Sequence, residues 1–373
     1  MKKTVFFILC LEGAILSFNV AASAALIPSI SQEFSEPAFI AGRIIWLYML
    51  PYGAAALFYG PLVRILDSRK IELFCMALFS IANLASGLSR SIQALFVARF
   101  FTGLFGASVI PLALILIARE AGSANRGRLV GLFFSATFTA SLAGLFLSGM
   151  LPWRMIFLIP AIAGFIACVF IYMYLPGLKI DPAGVKVNYL ATFRNKAILR
   201  LFTYILLISI FYHGVQQWLG VYFFEQYGFN QFIISMLVTL SALSGIFGEA
   251  LGGWFSDIIG RVNTVNIGIT LMIASVFALF FKMPVLLLVI IMLAWGAGWA
   301  FNHAGISTII TDLPDEFLNE AASLNSGVRF IAGGLGVAVS GLLMQKSFIM
   351  GFSIFGICLL SLLFFTRRLL VRV

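Results

Sequence analysis

The sequence contains few charged residues and few of the residue types on which enzymes depend. Only 10% of its 373 residues are charged, whereas about 25% is usual in a soluble domain. Its two histidines, His213 and His303, belong to no HExxH motif, and the sequence has no motif of paired aspartates. Both absences argue against an intramembrane enzyme or receptor. The pattern G-x-x-x-x-G-K-[ST] is also absent, which argues against direct use of ATP by this chain.

Cysteines are equally scarce. The four of them are Cys10, Cys75, Cys168 and Cys358. Each lies within an apolar run, and their spacing fits no metal site. We therefore expect them to pack against neighbouring side chains, and we expect neither a metal nor another cofactor.

Apolar residues dominate the chain, with 62% hydrophobic residues and a mean hydropathy of +1.07. A soluble core cannot hide this much apolar surface, and a bilayer crossing takes about 20 apolar residues. We predict an all-α integral membrane protein of twelve transmembrane helices without a sizeable extramembrane domain. The helices are expected at 5–30, 39–63, 72–89, 92–118, 127–150, 155–176, 199–225, 231–256, 262–281, 284–311, 319–344 and 347–366.

The N-terminal segment has two interpretations. Lys2 and Lys3, an apolar stretch and the small residues at 22–24 resemble a cleavable signal peptide. Glu12 interrupts that stretch, however, and the apolar segment continues to Pro28. We expect the segment to be retained as the first transmembrane helix.

The basic residues indicate how the chain is oriented. The net charge of +10 could suggest nucleic acid, but these residues lie between the apolar runs, so no nucleic-acid partner is expected. With a cytoplasmic N-terminus, 17 Lys and Arg lie on the cytoplasmic side and 5 on the other, while Arg99 and Arg329 lie inside predicted helices. The positive-inside rule therefore predicts a multi-pass protein of the plasma (inner) membrane with both termini in the cytoplasm.

An internal repeat divides the chain into two halves. Segment 144–149 (GLFLSG) recurs as segment 336–341 (GVAVSG), an offset of 192, and Gly60 has a counterpart in Gly253 at an offset of 193. Such duplication predicts two pseudo-symmetric six-helix bundles with a substrate site between them near the membrane midplane. The expected domains are an N-terminal bundle at 1–176, a cytoplasmic linker at 177–198 and a C-terminal bundle at 199–373.

Two loops carry a repeated motif. Segment 253–261 reads GWFSDIIGR, and its first-half counterpart at 60–70 reads GPLVRILDSRK. The first glycine of each motif is expected to let two helices approach, while the acid and the following base form contacts that differ between conformations. The alternative is an ordinary basic loop. The candidate gating residues are Gly60, Arg64, Asp67, Arg69, Gly253, Asp257, Gly260 and Arg261.

Segment 253–261 closely resembles the signature G-x-L-a-D-r-x-G-r of the major facilitator superfamily. Segment 99–107 (RFFTGLFGA) and the stretch from Asn325 to Gly336 are similar to helices 4 and 11 of its twelve-helix drug:proton antiporters. The helix-5 pattern of that group is kept at Gly131, Gly144 and Gly149 only. The resemblance implies two six-helix bundles that transport a small molecule by alternating access, with helices 1, 4, 7 and 10 lining a central cavity.

Ionisable residues inside predicted helices are functional candidates, because a charge at that depth is costly. Glu12, which shares a face with Asn19, and Glu249 are the candidates for proton coupling. Glu12 could instead be a solvated or paired carboxylate at a helix end, and Glu249, among glycines, a packing or gating residue. Arg99 and Arg329 each need a carboxylate, carbonyl groups, water or an anionic substrate, and Glu12 is a plausible partner for Arg99.

Predicted helices 7 and 10 carry the remaining candidate substrate contacts. Three- and four-residue spacing places a polar patch on one side of helix 7, and aromatic and polar residues share a face of helix 10. The alternative is that the histidines are satisfied within the bundle. The full set of candidate cavity residues is Asn19, Arg99, Tyr212, His213, Gln216, Gln217, Trp299, Asn302, His303, Asn325 and Arg329, with Trp295 on the same face of helix 10.

We therefore expect a secondary active transporter. Its partners would be a small-molecule substrate, protons and membrane lipid, and it is expected to act as a monomer. Proton-coupled export of a drug-like or amphipathic metabolite is the first hypothesis. The second is a symporter or uniporter for an anionic nutrient or metabolite, since an anion would satisfy the two arginines.

Overall fold

The computed structural model describes residues 1–63, 65–120, 123–177, 194–313 and 315–370. The described residues form α-helices joined by short connections, with no strand among them. The helices of the first half are α1 Lys3–Ala25, α2 Ile27–Phe34, α3 Ala38–Ala41, α4 Arg43–Leu62, α5 Ser68–Gly87, α6 Ile92–Gly106, α7 Val109–Glu120, α8 Ser123–Ser148 and α9 Trp153–Tyr174. Those of the second half are α10 Lys196–Gln216, α11 Leu219–Tyr227, α12 Gln231–Ile259, α13 Arg261–Ala278, α14 Val285–Thr311, α15 Asp315–Met344 and α16 Phe348–Leu370.

Twelve segments in the described part of the chain are long and apolar enough to cross a membrane, which confirms the predicted number. Many large apolar side chains are exposed on them, including Phe58 at 70% and Phe364 at 77%. Water would make so much exposed apolar surface unfavourable, whereas lipid tails accept it. The protein is therefore a multi-pass membrane protein.

Four predicted helices agree with the structure as apolar segments, but the chain bends within each of them. Predicted helices 1, 2, 4 and 7 each correspond to two consecutive helices. The α1–α2 break at Leu26 precedes Pro28, and the α6–α7 break follows Gly106, just before Pro111. Proline lacks the N–H group that would bond four residues back, so a helix bends or stops near it. The predicted linker at 177–198 lies mostly outside the described residues.

The chain divides into two compact units, Met1–Val187 and Asn188–Val373. In unit 1, a Cβ atom added at Gly144 of α8 would overlap the carbonyl oxygen of Phe18 on α1. In unit 2, a Cβ atom added at Gly336 of α15 would overlap that of Ile210 on α10. Phe18 and Ile210 are 192 positions apart, as are the two glycines, so each unit packs its first and fifth spans through the same backbone contact.

A second contact repeats in the same way. Gly103 of α6 lies against the carbonyl oxygen of Tyr48 on α4, and Gly296 of α14 lies against that of Ser241 on α12. The two glycines are 193 positions apart, and so are Tyr48 and Ser241. Only a residue without a Cβ atom permits such an approach of two helix backbones. The repeat in the sequence thus corresponds to a repeat of backbone packing.

Replacement of Gly144 tests this packing. Gly144→Ala should lower the unfolding temperature of the purified protein in detergent, because the new methyl group forces α1 and α8 apart at a cost of about 1–3 kcal/mol. The matched control is Gly131→Ala on the same helix, where an added Cβ atom has nothing within 4 Å. An equal loss of stability in both variants would contradict the proposed role of the glycine.

Candidate functional site

Unit 1 contains a buried pair of carboxyl groups. Glu12 of α1 and Glu72 of α5 are 0% and 1% exposed, and their carboxyl groups face each other closely enough to interact. Their oxygen atoms have no hydrogen-bond partner among the other described residues. No Lys or Arg in the described part of the chain forms an ion pair with either of them. The pair is therefore two acidic groups that no cation of the described residues compensates.

Polar contacts continue along α1 from this pair. The side-chain amide of Asn19 donates a hydrogen bond to Asn83 of α5, and Ser23 accepts one from Nη2 of Arg99 at 3.3 Å. Asn19, Asn83 and Ser23 are all buried. One face of α1 thus presents an acid, an amide and a hydroxyl group to the interior of unit 1.

The predicted pairing of Arg99 with Glu12 is wrong. The guanidinium group of Arg99, which is 1% exposed, lies over the ring of Tyr48 at 4.6 Å and over that of Phe157 at 5.1 Å. Its Nε and Nη1 atoms have no hydrogen-bond partner among the described residues. Aromatic faces attract a cation, so these rings compensate the charge in place of a carboxylate.

Glu72 was not among the predicted site residues. It lies near the start of α5, and the predicted helix began at that residue. A charged residue at a predicted helix end suggests a solvated loop, so Glu72 was not considered as a buried group. Its spacing contained a signal, however, because Cys75, Met76, Phe79 and Asn83 lie three, four, seven and eleven residues after Glu72, as residues on one helix face do. All five are buried in the structure, so the helical period continues through the acid.

Unit 2 contains an aromatic stack instead. The ring of Tyr212 on α10 lies parallel to that of Trp299 on α14, with centroids 3.8 Å apart, and 5.3 Å from that of Trp295. Trp295 donates a hydrogen bond to Gln216 at 2.6 Å. The structure therefore brings together the predicted patch of α10 and the predicted face of α14.

Arg329 of α15 lies beside this stack. Its guanidinium group is 5.6 Å from the centre of the Trp299 ring, and its Nε atom donates to Asn325 at 2.7 Å. The Nη1 and Nη2 atoms are buried without a hydrogen-bond partner among the described residues. Arg329 thus presents the N–H groups of Nη1 and Nη2, unpaired among the described residues, next to an aromatic surface.

Both histidines lie at the edge of the same stack. The ring centroid of His213 is 5.7 Å from that of Trp299, and its Nδ1 atom is 3.5 Å from the side-chain nitrogen of Gln217. The Nδ1 atom of His303 lies 2.7 Å from a carboxylate oxygen of Glu249 on α12. Glu249, predicted as a possible proton site, is therefore one member of a carboxylate–imidazole pair.

Asn302, which follows Trp299 by about one turn of α14, contacts another residue of α10. It is fully buried, and its side-chain amide donates to the hydroxyl group of Tyr204 on α10. Tyr204 was not predicted, since a lone tyrosine within an apolar helix carries no distinguishing pattern. This contact joins α10 to α14 deeper in unit 2.

The second gating motif forms ion pairs at the end of unit 2. Arg261, the first residue of α13, contacts Asp312 at 3.0 Å and Asp257 at 3.6 Å. Asp312 follows the last residue of α14. Gly260 joins α12 to α13 with a φ of +88°, a conformation that a side chain would strain. The motif thus connects three helix ends through one arginine.

The expected close approach at Gly253 is wrong, because an added Cβ atom there would meet nothing within 4 Å. The neighbouring Gly252 makes the approach instead, packing against Phe301 and Ala304 of α14. One position along a helix turns the residue by about 100°, so the sequence motif alone does not fix which glycine faces the neighbour.

The first gating motif is described in part. Gly60 lies within α4, and Arg64 lies outside the described residues. Asp67 precedes α5 and caps it, accepting a hydrogen bond from the backbone N–H of Lys70 at 3.2 Å. Arg69 lies in the first turn of α5. A capping carboxylate stabilises the N-terminus of a helix, which gives Asp67 a structural role.

These features define a class of protein before any comparison. The described residues form twelve apolar spans in two repeated units with polar groups buried inside each unit, which is typical of a membrane transporter. A family model of the Major Facilitator Superfamily matches residues 9–341. The chain therefore belongs to this family, whose members and structural neighbours are transporters and not enzymes.

Two of the similar sequences are distant from this chain but span most of it. An MFS-type transporter of Bacillus subtilis (strain 168), YbcL, is 23% identical over 89% of this chain and 88% of its own length. A probable sugar efflux transporter of Pasteurella multocida (strain Pm70) is also 23% identical, over 90% of this chain and 84% of its own length.

Solved structures share the fold. A mutant form of the nucleoside transporter NupG is similar with a TM-score of 0.80 and 16% identity, covering 97% of this chain and 99% of its own. A D-xylose-proton symporter is similar with a TM-score of 0.76 and 15% identity, covering 97% of this chain and 96% of its own. At such low identities the likeness concerns the fold alone.

The aromatic stack can be tested through Tyr212. Tyr212→Phe keeps the ring contact with Trp299 and should lower the stability of the protein in detergent less than Tyr212→Leu does. Tyr212→Leu removes the ring contact with Trp299 and should cost about 0.5–1.5 kcal/mol beyond the lost apolar area. Thermal unfolding followed by tryptophan fluorescence measures both, and equal unfolding temperatures for the two variants would contradict the stack.

Proposed function

We propose that the chain is a secondary active transporter that exports a drug-like or amphipathic small molecule in exchange for protons, and that Glu12 carries the proton. The observation behind this proposal is the buried Glu12–Glu72 pair, which no described cation compensates. Two negative charges in such apolar surroundings would be strongly unfavourable, so at least one carboxyl group holds a proton. A proton held inside a membrane span and released during the cycle is what coupling requires.

Two further observations support the proposal. In unit 2, the Nδ1 atom of His303 lies 2.7 Å from a carboxylate oxygen of Glu249, which is within reach for transfer of a proton between the two groups. Export is supported by the names of relatives, which include the sugar efflux transporter of Pasteurella multocida. An efflux pump of Hypomyces subiculosus, hmp6, is 26% identical over 44% of this chain and 29% of its own length.

Flux under opposite pH gradients distinguishes the possible mechanisms without a known substrate. Proteoliposomes containing the protein would be incubated in a small-molecule extract of bacterial cells, and their contents compared by mass spectrometry. A substance exchanged for protons accumulates when the interior is acidic, because protons leaving drive its entry. A substance moved together with protons accumulates when the exterior is acidic, and a uniporter ignores the gradient. We expect accumulation with an acidic interior only.

Substitution of the acid gives the matched comparison. Glu12→Gln should abolish the gradient-driven accumulation, because the amide cannot release a proton, while exchange between equal concentrations should continue. Glu225→Gln, which changes an exposed glutamate of α11, should behave like the unchanged protein. Full gradient-driven accumulation by the Glu12→Gln protein would remove Glu12 from the coupling mechanism.

Symport or uniport of an anionic nutrient or metabolite is the second candidate, and Arg329 favours it. The unused Nη1 and Nη2 atoms of this buried residue match the two oxygen atoms of a carboxylate or phosphate. In the same assay, this candidate predicts that the transported substances are anions. A symporter should accumulate them when the exterior is acidic, and a uniporter should admit them without a pH gradient. Arg329→Gln should then abolish accumulation of these anions. If the variant instead stopped accumulating a cationic or neutral substance, direct contact of Arg329 with an anion would be contradicted.

We also propose the orientation predicted from the basic residues, in the plasma membrane with both termini in the cytoplasm. The N-terminal amino group donates a hydrogen bond to the carbonyl oxygen of Glu120 at 2.7 Å, so the start of α1 lies beside the end of α7, next to the basic segment around Arg126. A reporter enzyme active only in the cytoplasm, fused after Val373, should be active. If a reporter that is active only outside the cytoplasm were active at the same fusion point, the orientation would be the opposite of the proposed one.

A further inference from the structure

A basic pocket lies at the end of unit 2 where α10 begins and α16 ends. Its volume is about 920 Å³. Four arginines line it, and they belong to three helices: Arg200 of α10, Arg261 of α13, and Arg367 and Arg368 of α16. Residues distant in sequence thus bring their guanidinium groups to one cavity.

These charges are not balanced within the pocket. Asp312 is the one acidic residue among its described lining residues, and it is already paired with Arg261. Arg200, Arg367 and Arg368 form no ion pair in the part of the chain that the structure describes. Like charges held together repel one another, so the arrangement favours a bound anion. Planar guanidinium groups match phosphate oxygens especially well.

The first turn of α13 adds further donors. Residues 260–263 line the same pocket, and no side chain caps this helix. The first backbone N–H groups of a helix lack partners within it, and the N-terminus carries a partial positive charge. Backbone and side-chain donors therefore meet in one place.

An apolar groove adjoins the pocket. It has a volume of about 410 Å³ and shares Arg368 with the pocket. Its walls are the side chains of α10 and α16, mainly Thr203, Leu207, Phe211, Cys358, Leu362 and Phe365. Thr203, Leu207 and Phe211 are successive turns of α10, so the groove follows that membrane-spanning helix for about 12 Å.

We propose that the pocket and groove together bind an anionic phospholipid. The phosphate group lies among Arg200, Arg367 and Arg368, and one acyl chain lies along the groove between α10 and α16. Basic pockets between membrane-spanning helices are known to bind such headgroups. The combination of a positive pocket and an adjoining apolar groove fits an amphiphile better than it fits a free phosphate ion.

The general tendency of basic residues to lie at cytoplasmic helix ends would explain the arginines but not the groove. Basic residues accumulate at cytoplasmic helix ends and also favour helix C-termini. If that were the whole explanation, the last turn of α9, the last helix of unit 1, should also hold basic residues. The last turn of α9 holds no basic residue, whereas that of α16 holds Arg367 and Arg368. We therefore expect a lipid site at the end of unit 2 where α16 ends.

Native mass spectrometry of the full chain released from detergent tests the proposal. With dioleoylphosphatidylglycerol added, the protein should retain one lipid molecule, and with dioleoylphosphatidylcholine, which has the same chains, it should retain none. The double variant R367Q/R368Q should lose the retained lipid, whereas R367K/R368K should keep part of it. The control R43Q/R90Q removes two exposed charges from unit 1 and should have no effect.

Two more arms separate a lipid from a soluble phosphate. Thr203→Trp fills the groove without changing a charge, and it should release phosphatidylglycerol. Glycerol 3-phosphate, which has the headgroup chemistry but no chains, should neither bind nor raise the unfolding temperature. Equal retention of the two lipids, or retention by R367Q/R368Q, would overturn the proposal. Stabilisation by glycerol 3-phosphate that Thr203→Trp leaves unchanged would overturn the assignment to a lipid.

Discussion

The cost of placing charge inside a bilayer governs the interior of this protein. A charged group at that depth must be compensated by another charge, by a dipole, by an aromatic face or by a ligand. Arg99 is compensated by the rings of Tyr48 and Phe157 and by Ser23. Arg329 is compensated only in part, and the Glu12–Glu72 pair has no described cation. We propose that an exchangeable proton or a substrate acts at these incompletely compensated groups.

The two units use one framework for different chemistry. Glycines at equivalent positions bring the first and fifth spans, and the second and fourth spans, into backbone contact in both units. The polar residues on this framework have diverged. The position of Glu12 in unit 1 corresponds, at the offset of 192, to Tyr204 in unit 2, which binds Asn302. Unit 1 thus carries a buried pair of carboxyl groups, whereas unit 2 carries the stack of Tyr212, Trp295 and Trp299 beside Arg329.

Hydropathy and the repeat were enough to predict twelve helices and two halves, because lipid demands long apolar runs. The stack of Tyr212 and Trp299 could be anticipated only as two separate faces, since nothing in the sequence gives the distance between helices. For the same reason Arg99 was paired with the wrong group. Glu72 was missed because a charge near a helix start suggests a loop, although its buried neighbours continue the helical period.

The central claim is that the Glu12–Glu72 pair holds a proton inside unit 1. Infrared absorption of the purified protein at neutral pH measures this directly, because a protonated carboxyl group has a carbonyl-stretch band that a carboxylate lacks. We predict such a band in the unchanged protein, altered in position or intensity by both Glu12→Gln and Glu72→Gln and unaffected by Glu225→Gln. A spectrum without a protonated-carboxyl band that responds to either substitution would contradict the account.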